Sequence, residues 1–251
     1  MIMKHVTVFM SLLMLFPSFV YAAESNLQNY HIKVDISDTE SLQRGARIFV
    51  NYCMGCHSAA YMRYNRLGKD IGISEDVLKA NLMFGTEKTG NTMEIAMKST
   101  DAKTFFGVAP PDLSVIARSR GADWLYGYFM TFYLDPSRPF GVNNLQFKDV
   151  AMPHVLWELQ GTHKPVYKTV THKDGTEVEV IAGLEQVSPG KLPEGYNEYK
   201  QVVYDLVNFL VYLSEPAKFQ RQKIGIWVII YLLSFLVLAF LLKKEYWKDV
   251  H

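Results

Sequence analysis

The chain has 251 residues, room for one good-sized domain with extensions. Its 26 Lys and Arg against 25 Asp and Glu leave a formal charge of +1, a balance that gives no support to a nucleic-acid partner. Two cysteines in all exclude a disulfide framework and a four-cysteine zinc site.

Residues 1–22 read as a secretory signal peptide. Lys4 and His5 open it, a mainly apolar run from Val6 to Val20 follows, and Val20-Tyr21-Ala22-Ala23 offers a small-residue cleavage site. The run is too short and too poorly flanked for a membrane span, and the absence of arginine argues against an organelle transit peptide. Setting Lys4 aside with this segment leaves 25 basic against 25 acidic residues, a charge of about zero.

Residues 23–217 are then the exported domain. Glu24 to Ile36 is polar and aperiodic, an extended arm. Ser37-Asp38-Thr39-Glu40 has the spacing of a capping box. Behind it Leu42, Ala46, Phe49 and Cys53 fall at i, i+4, i+7 and i+11, one stripe of a helix. Gly45 costs this helix stability relative to Ala. It either admits the close approach of another helix or is simply tolerated.

The stripe ends in Cys53-Met54-Gly55-Cys56-His57. Two cysteines separated by two residues and followed by histidine form a c-type haem attachment pattern. On a helical turn, positions i, i+3 and i+4 share a face. Cys53 and Cys56 then reach the two vinyl groups of one porphyrin, and His57 comes up beneath the iron. Three other uses of the pair compete. A disulfide across two residues is strained and closes almost no loop. A thioredoxin-like pair wants a strand in front of the first Cys, where this chain has a helical pattern. A zinc site needs two further ligands from afar.

From Ser58 to Leu82, charge is mixed with Tyr61, Arg63, Tyr64 and Arg66, which reads as a solvated shell beside the haem. Asn81 to Lys103 reads as loop with a short helix around Met93. The double proline of Ala109-Pro110-Pro111-Asp112-Leu113-Ser114 fixes an extended backbone with a helix starting behind it. Helices are expected over Leu113–Ser119 and Ala122–Leu134, then loop from Asp135 to Met152. Thr162 to Ala182 reads as a hairpin around Lys173-Asp174-Gly175, a charged surface excursion. Val202, Val203, Leu206, Val207, Leu210 and Leu213 mark an amphipathic helix stopped by Pro216. It is expected to pack, from about Tyr199 to Ser214, against the helix that ends at Cys53. No internal repeat is visible.

Residues 218–251 read as a membrane anchor with a short tail. Ile224 to Leu242 holds nineteen residues without a charge, the length that crosses a hydrocarbon core of ~30 Å. Basic residues flank both ends, so orientation rests on the signal peptide, which places the C-terminus in the cytoplasm. Tyr246 and Trp247 suit the interface.

The sixth ligand of the iron decides the chemistry, since a thioether raises the potential and closes the metal. Met54 lies inside the motif and Met62 is too near in sequence. Met83, Met93, Met97, Met130, Met152, His154, His163 and His172 remain open. Met152, stiffened by Pro153 at the end of a long loop, is favoured, with His154 as the rival.

Leu42-Gln43-Arg44-Gly45, the Cys53–His57 pattern, Ala109–Ser114, Ala151-Met152-Pro153 and Leu213-Ser214-Glu215-Pro216 just before the span stand out together. In these stretches the chain resembles the cytochrome c1 family, the membrane-anchored haem subunits of ubiquinol–cytochrome c reductase. The resemblance covers essentially the whole mature chain. It implies a mostly α, cytochrome c-like haem domain with a small β-hairpin excursion, one C-terminal transmembrane helix and one covalent haem c. Met152 matches the family's axial methionine. Arg120 sits where members place a basic residue near a haem propionate, although Arg118 is two residues away. Pro111 in the matching Pro-Pro-Asp-Leu-Ser stretch is grouped with the cofactor-binding residues.

The compact N-terminal arm and simple signal peptide resemble bacterial members, with the haem domain in the periplasm and the anchor in the cytoplasmic membrane. The implied partners are a cytochrome b subunit, a Rieske iron–sulfur subunit, a soluble cytochrome c and the lipid bilayer. The implied role is one-electron relay within an enzyme complex, with no bond made or broken by this chain. A free membrane-tethered carrier feeding a terminal oxidase, and a haem protein with an open iron, are the alternatives.

Overall fold

A computed structural model describes residues 30–171 and 175–249. The expected signal peptide, His172, Lys173 and Asp174 lie outside the described residues. Helix α1, Thr39–Ile48, starts where Asp38 accepts a hydrogen bond from the Ser41 amide at 3.0 Å. The cap is therefore Asp38, one residue later than the expected box. Ser37 is held instead by the carboxylate of Asp35. All four residues of the predicted stripe are buried. The last of them arrives through a π-helical turn, Phe49–Cys53, rather than a continuing α-helix.

Helix α1 packs on α8, Tyr199–Ser214, as the two apolar stripes predicted. Gly45 is the point of closest approach. A Cβ built there would lie 2.1 Å from the Asp205 carbonyl oxygen and 2.6 Å from the Phe209 Cβ. Close packing, not tolerance, accounts for the glycine. Gly45→Ala is expected to cost about 3 kcal/mol by overpacking, read as a lower unfolding temperature of the purified, haem-loaded chain.

A polar cluster crosses the same seam. The buried Asp205 carboxylate accepts from Ser41 Oγ at 2.6 Å, Arg44 Nε at 2.6 Å and Tyr196 Oη at 2.8 Å. This bond to Asp205 holds the Arg44 guanidinium above its ordinary pKa, and burial pushes the Tyr196 phenol up. A buried carboxylate with three donors is satisfied where a lone one would be costly.

Between these helices in sequence the chain forms strand β1, Ala59–Arg63, and helices α2, Tyr64–Asp70, and α3, Glu75–Leu82. Strand β2, Thr92–Met93, pairs antiparallel with β1. This region is no solvated shell. Met62, Tyr64, Leu67, Ile71 and Leu78 enter the core, while Tyr61 stays 81% exposed. The mixed charges obscured an apolar side that pairing and short helices assemble. Met93 is a buried strand residue, and the short helix lies later, at α4, Ser99–Phe106.

Next come α5, Ile116–Arg120, and α6, Ala122–Met130. The expected continuation to Leu134 turns instead into β3, Phe132–Leu134, antiparallel to β4, Val142–Asn144. Asn144 makes that switch possible. Its amide donates to the Tyr128 carbonyl and its carbonyl accepts from the Gln146 and Phe147 amides. After α7, Trp157–Gln160, the excursion appears as β5, Gly161–Thr171, and β6, Glu177–Pro189, largely solvent-facing.

Helix α9, Lys218–Tyr246, follows the break at Pro216. Within its 27-residue segment Gln220–Tyr246 an 18-residue window has mean hydropathy 2.7 and is 0% buried within the protein. At 1.5 Å per residue the segment is ~40 Å long, sufficient for a hydrocarbon core of ~30 Å.

Candidate functional site

The site is built from three segments that the fold brings together. The first is the turn after the π-helical residues. The Cys53 carbonyl accepts from the amides of Cys56 at 3.0 Å and His57 at 2.9 Å, which closes the attachment turn. The second is the double-proline stretch, pinned to the residues after His57. The Leu113 amide donates to the Ser58 carbonyl at 2.8 Å, and Asp112 accepts from the Ala60 amide at 2.9 Å. The Tyr61 amide donates to Ser114 Oγ at 3.1 Å. The double proline keeps this stretch extended, and the carbonyl of Pro111 points at the site.

That carbonyl accepts from His57 Nδ1 at 2.7 Å. The contact fixes the ring's tautomer and leaves Nε2 for another partner. Burial holds the His57 imidazole below its ordinary pKa, against the opposing pulls of the Pro111 carbonyl and the Asp112 carboxylate. Burial thus favours the neutral ring, the form that binds a metal.

The third segment is the loop Val150–Pro153. With α6 and the two segments above it encloses an apolar cleft of about 330 Å³. Cys53, Cys56, His57, Pro111, Arg120 and Met152 all line it. The structure therefore gathers every predicted site residue in one place. Met83, Met93, Met97 and Met130 do not line this cleft. His154 and His163 face a separate cavity of about 240 Å³. Burial drives the His154 pKa down to about 4, and its ring stacks on Phe132 at 4.7 Å.

Arg120, not Arg118, reaches the cleft. Its guanidinium lies 4.8 Å from the Trp124 ring centroid and 5.7 Å from that of Phe147. Trp124, Tyr128 and Phe147 supply aromatic wall that the sequence reading missed. The spacing of Trp124, Leu125, Tyr128 and Phe129 on α6 carried the signal, two i, i+4 pairs on one face.

The chemistry of the donors fits a c-type haem. Two thiols, an imidazole with one nitrogen engaged and the other left for a metal, and a thioether share an apolar cleft. The disulfide-exchange alternative fits poorly. Burial pushes the Cys53 thiol up to about 12, whereas reactive pairs have depressed values. A zinc centre lacks ligands, since no cluster of three or more His, Cys, Asp or Glu occurs among the described residues.

Comparison with known proteins gives the family. The description "Cytochrome C1 family" matches residues 30–188 and 194–250. A protein of Allochromatium vinosum named cytochrome c1 is 47% identical, covering 95% of this chain and 96% of that one. A protein of Nitrosomonas europaea named ammonia monooxygenase gamma subunit is 45% identical, covering 99% of this chain and 100% of that one. A solved structure named hyperthermophilic respiratory Complex III aligns over 100% of this chain and 96% of its own, at 16% identity and a TM-score of 0.41.

Proposed function

The chain belongs to the cytochrome c1 family, and from that premise we propose that it relays single electrons from a Rieske iron–sulfur centre to a soluble cytochrome c within a quinol–cytochrome c oxidoreductase. The observation that carries this reading is the meeting of Cys53, Cys56, His57 and Met152 on one apolar cleft. When bound, haem c supplies a one-electron iron couple.

The chain's residues hold and tune that couple. Cys53 and Cys56 would supply the thioether links, and His57 Nε2 and Met152 Sδ would be the donors to the iron. Pro111 orients His57 through its carbonyl, and this hydrogen bond makes the imidazole a better donor. Arg120 offers its charge to a propionate at the cleft. The apolar wall formed by Leu113, Leu125 and Phe129 would keep water from a haem held there, so that a change of charge on its iron would be little screened. No proton and no substrate bond is handled.

Residues 1–22 direct export, residues 23–217 form the periplasmic haem domain, and residues 218–251 anchor it in a bacterial cytoplasmic membrane with the tail inside. Extraction in a gentle detergent tests the assignment. The chain is expected to co-purify with a cytochrome b and a Rieske protein. Purification alone would favour a free tethered carrier, and purification with a monooxygenase would favour the role named for the Nitrosomonas europaea relative.

A further inference from the structure

We propose that Tyr128 is a positioning residue for Met152, its hydroxyl fixing the thioether sulfur and drawing electron density from it. The inference rests on the reading of Met152 as the sixth ligand and adds a second partner for its sulfur. Tyr128 projects from α6 into the cleft, and its Oη donates to Met152 Sδ at 3.3 Å. A thioether sulfur has two lone pairs. One can serve a metal while the other accepts this hydrogen bond.

The phenol cannot swing away, because rings confine it. Trp124 stacks against it at 5.2 Å with an interplanar angle of 11°. Phe129 and Phe132 meet it edge-on, at 5.5 Å and 5.2 Å. Phe132 in turn stacks on His154, two residues beyond Met152, with ring planes 3° apart. The chain Tyr128–Phe132–His154 thus returns to the segment whose sulfur Tyr128 holds. This clasp fixes Met152 from both sides of Pro153.

A sulfur that shares density with an O–H donor stabilises a ferric iron less than an unencumbered one, which holds the reduction potential higher. Removing the hydroxyl lowers it. From the modest net worth of one hydrogen bond, the reduced-to-oxidised ratio at a fixed ambient potential should fall about threefold. That is about 28 mV at 59 mV per decade for one electron.

The test uses the full-length, haem-loaded chain in detergent, comparing Tyr128→Phe with Tyr212→Phe. Tyr212 is a buried phenol elsewhere in the core, donating to Asp70 Oδ2 at 2.8 Å. Redox titration and the sulfur-to-iron charge-transfer band of the ferric protein are the readouts. Tyr128→Phe is expected to keep covalent haem, lower the ratio about threefold and shift the band, while Tyr212→Phe leaves both unchanged. An unshifted titration and band in Tyr128→Phe, with the band present in the parent, overturn the role of Tyr128 and leave Met152 as ligand. An equal fall in Tyr212→Phe overturns it as a general effect of losing a buried phenol. Absence of the band from the parent protein removes Met152 as ligand, and the role of Tyr128 with it.

Discussion

Serine at both Cys53 and Cys56 is expected to abolish covalent haem entirely. The attachment turn itself should survive, because the bonds that close it run between backbone groups. What disappears is the pair of sulfurs that tie the porphyrin to the chain. On a denaturing gel stained for haem peroxidase activity, the parent chain carries the stain and the double variant carries none. Persistence of the stain would place the covalent link elsewhere and defeat the attachment assignment. Lower protein yield is a secondary effect, since the apolar cleft then lies open to water and exposes part of the core.

The second large effect belongs to Met152→Leu. Leucine conserves volume, so the loop Val150–Pro153 should still close over the cleft at little cost in stability. The sulfur donor is lost. A ligand change of this kind moves the potential downward by something on the order of 100 mV, within the ~0.8 V that axial ligands span. The iron should also become open to carbon monoxide in the reduced protein. Both are measurable on one preparation, by redox titration and by the visible spectrum before and after carbon monoxide. An unchanged potential with no carbon monoxide binding would remove Met152 from the ligand set.

Legibility in the sequence followed the range of the interactions. The long apolar stripes of α1 and α8 were readable because each is a periodic signal within one helix, and their packing places Cys53. The attachment pattern was readable because its chemistry is confined to five consecutive residues. The charged run from Ser58 to Leu82 misled because its apolar side is assembled only by pairing with Thr92–Met93. The helix expected to reach Leu134 ended early for a similar reason. Its last residues are claimed by an antiparallel partner ten residues away and by the side chain of Asn144. Asp205 gave no signal of its own. An acidic residue inside an apolar helix reads as a surface position until Ser41, Arg44 and Tyr196 arrive from other segments. The choice between Met152 and His154 was likewise beyond periodicity, since the two lie two residues apart. The structure places their side chains on different cavities.

The burial of Cys53 also favours an order of assembly. In the finished fold the residue is buried in the wall of the cleft, and burial pushes its thiol up to about 12. Addition of a thiol across a vinyl group needs that sulfur accessible and able to give the proton up. A thioether at Cys53 would therefore form more readily while the chain is still open. On the proposed reading the porphyrin would meet the polypeptide before α1 and α8 close on each other, and the fold would grow around a group already in place.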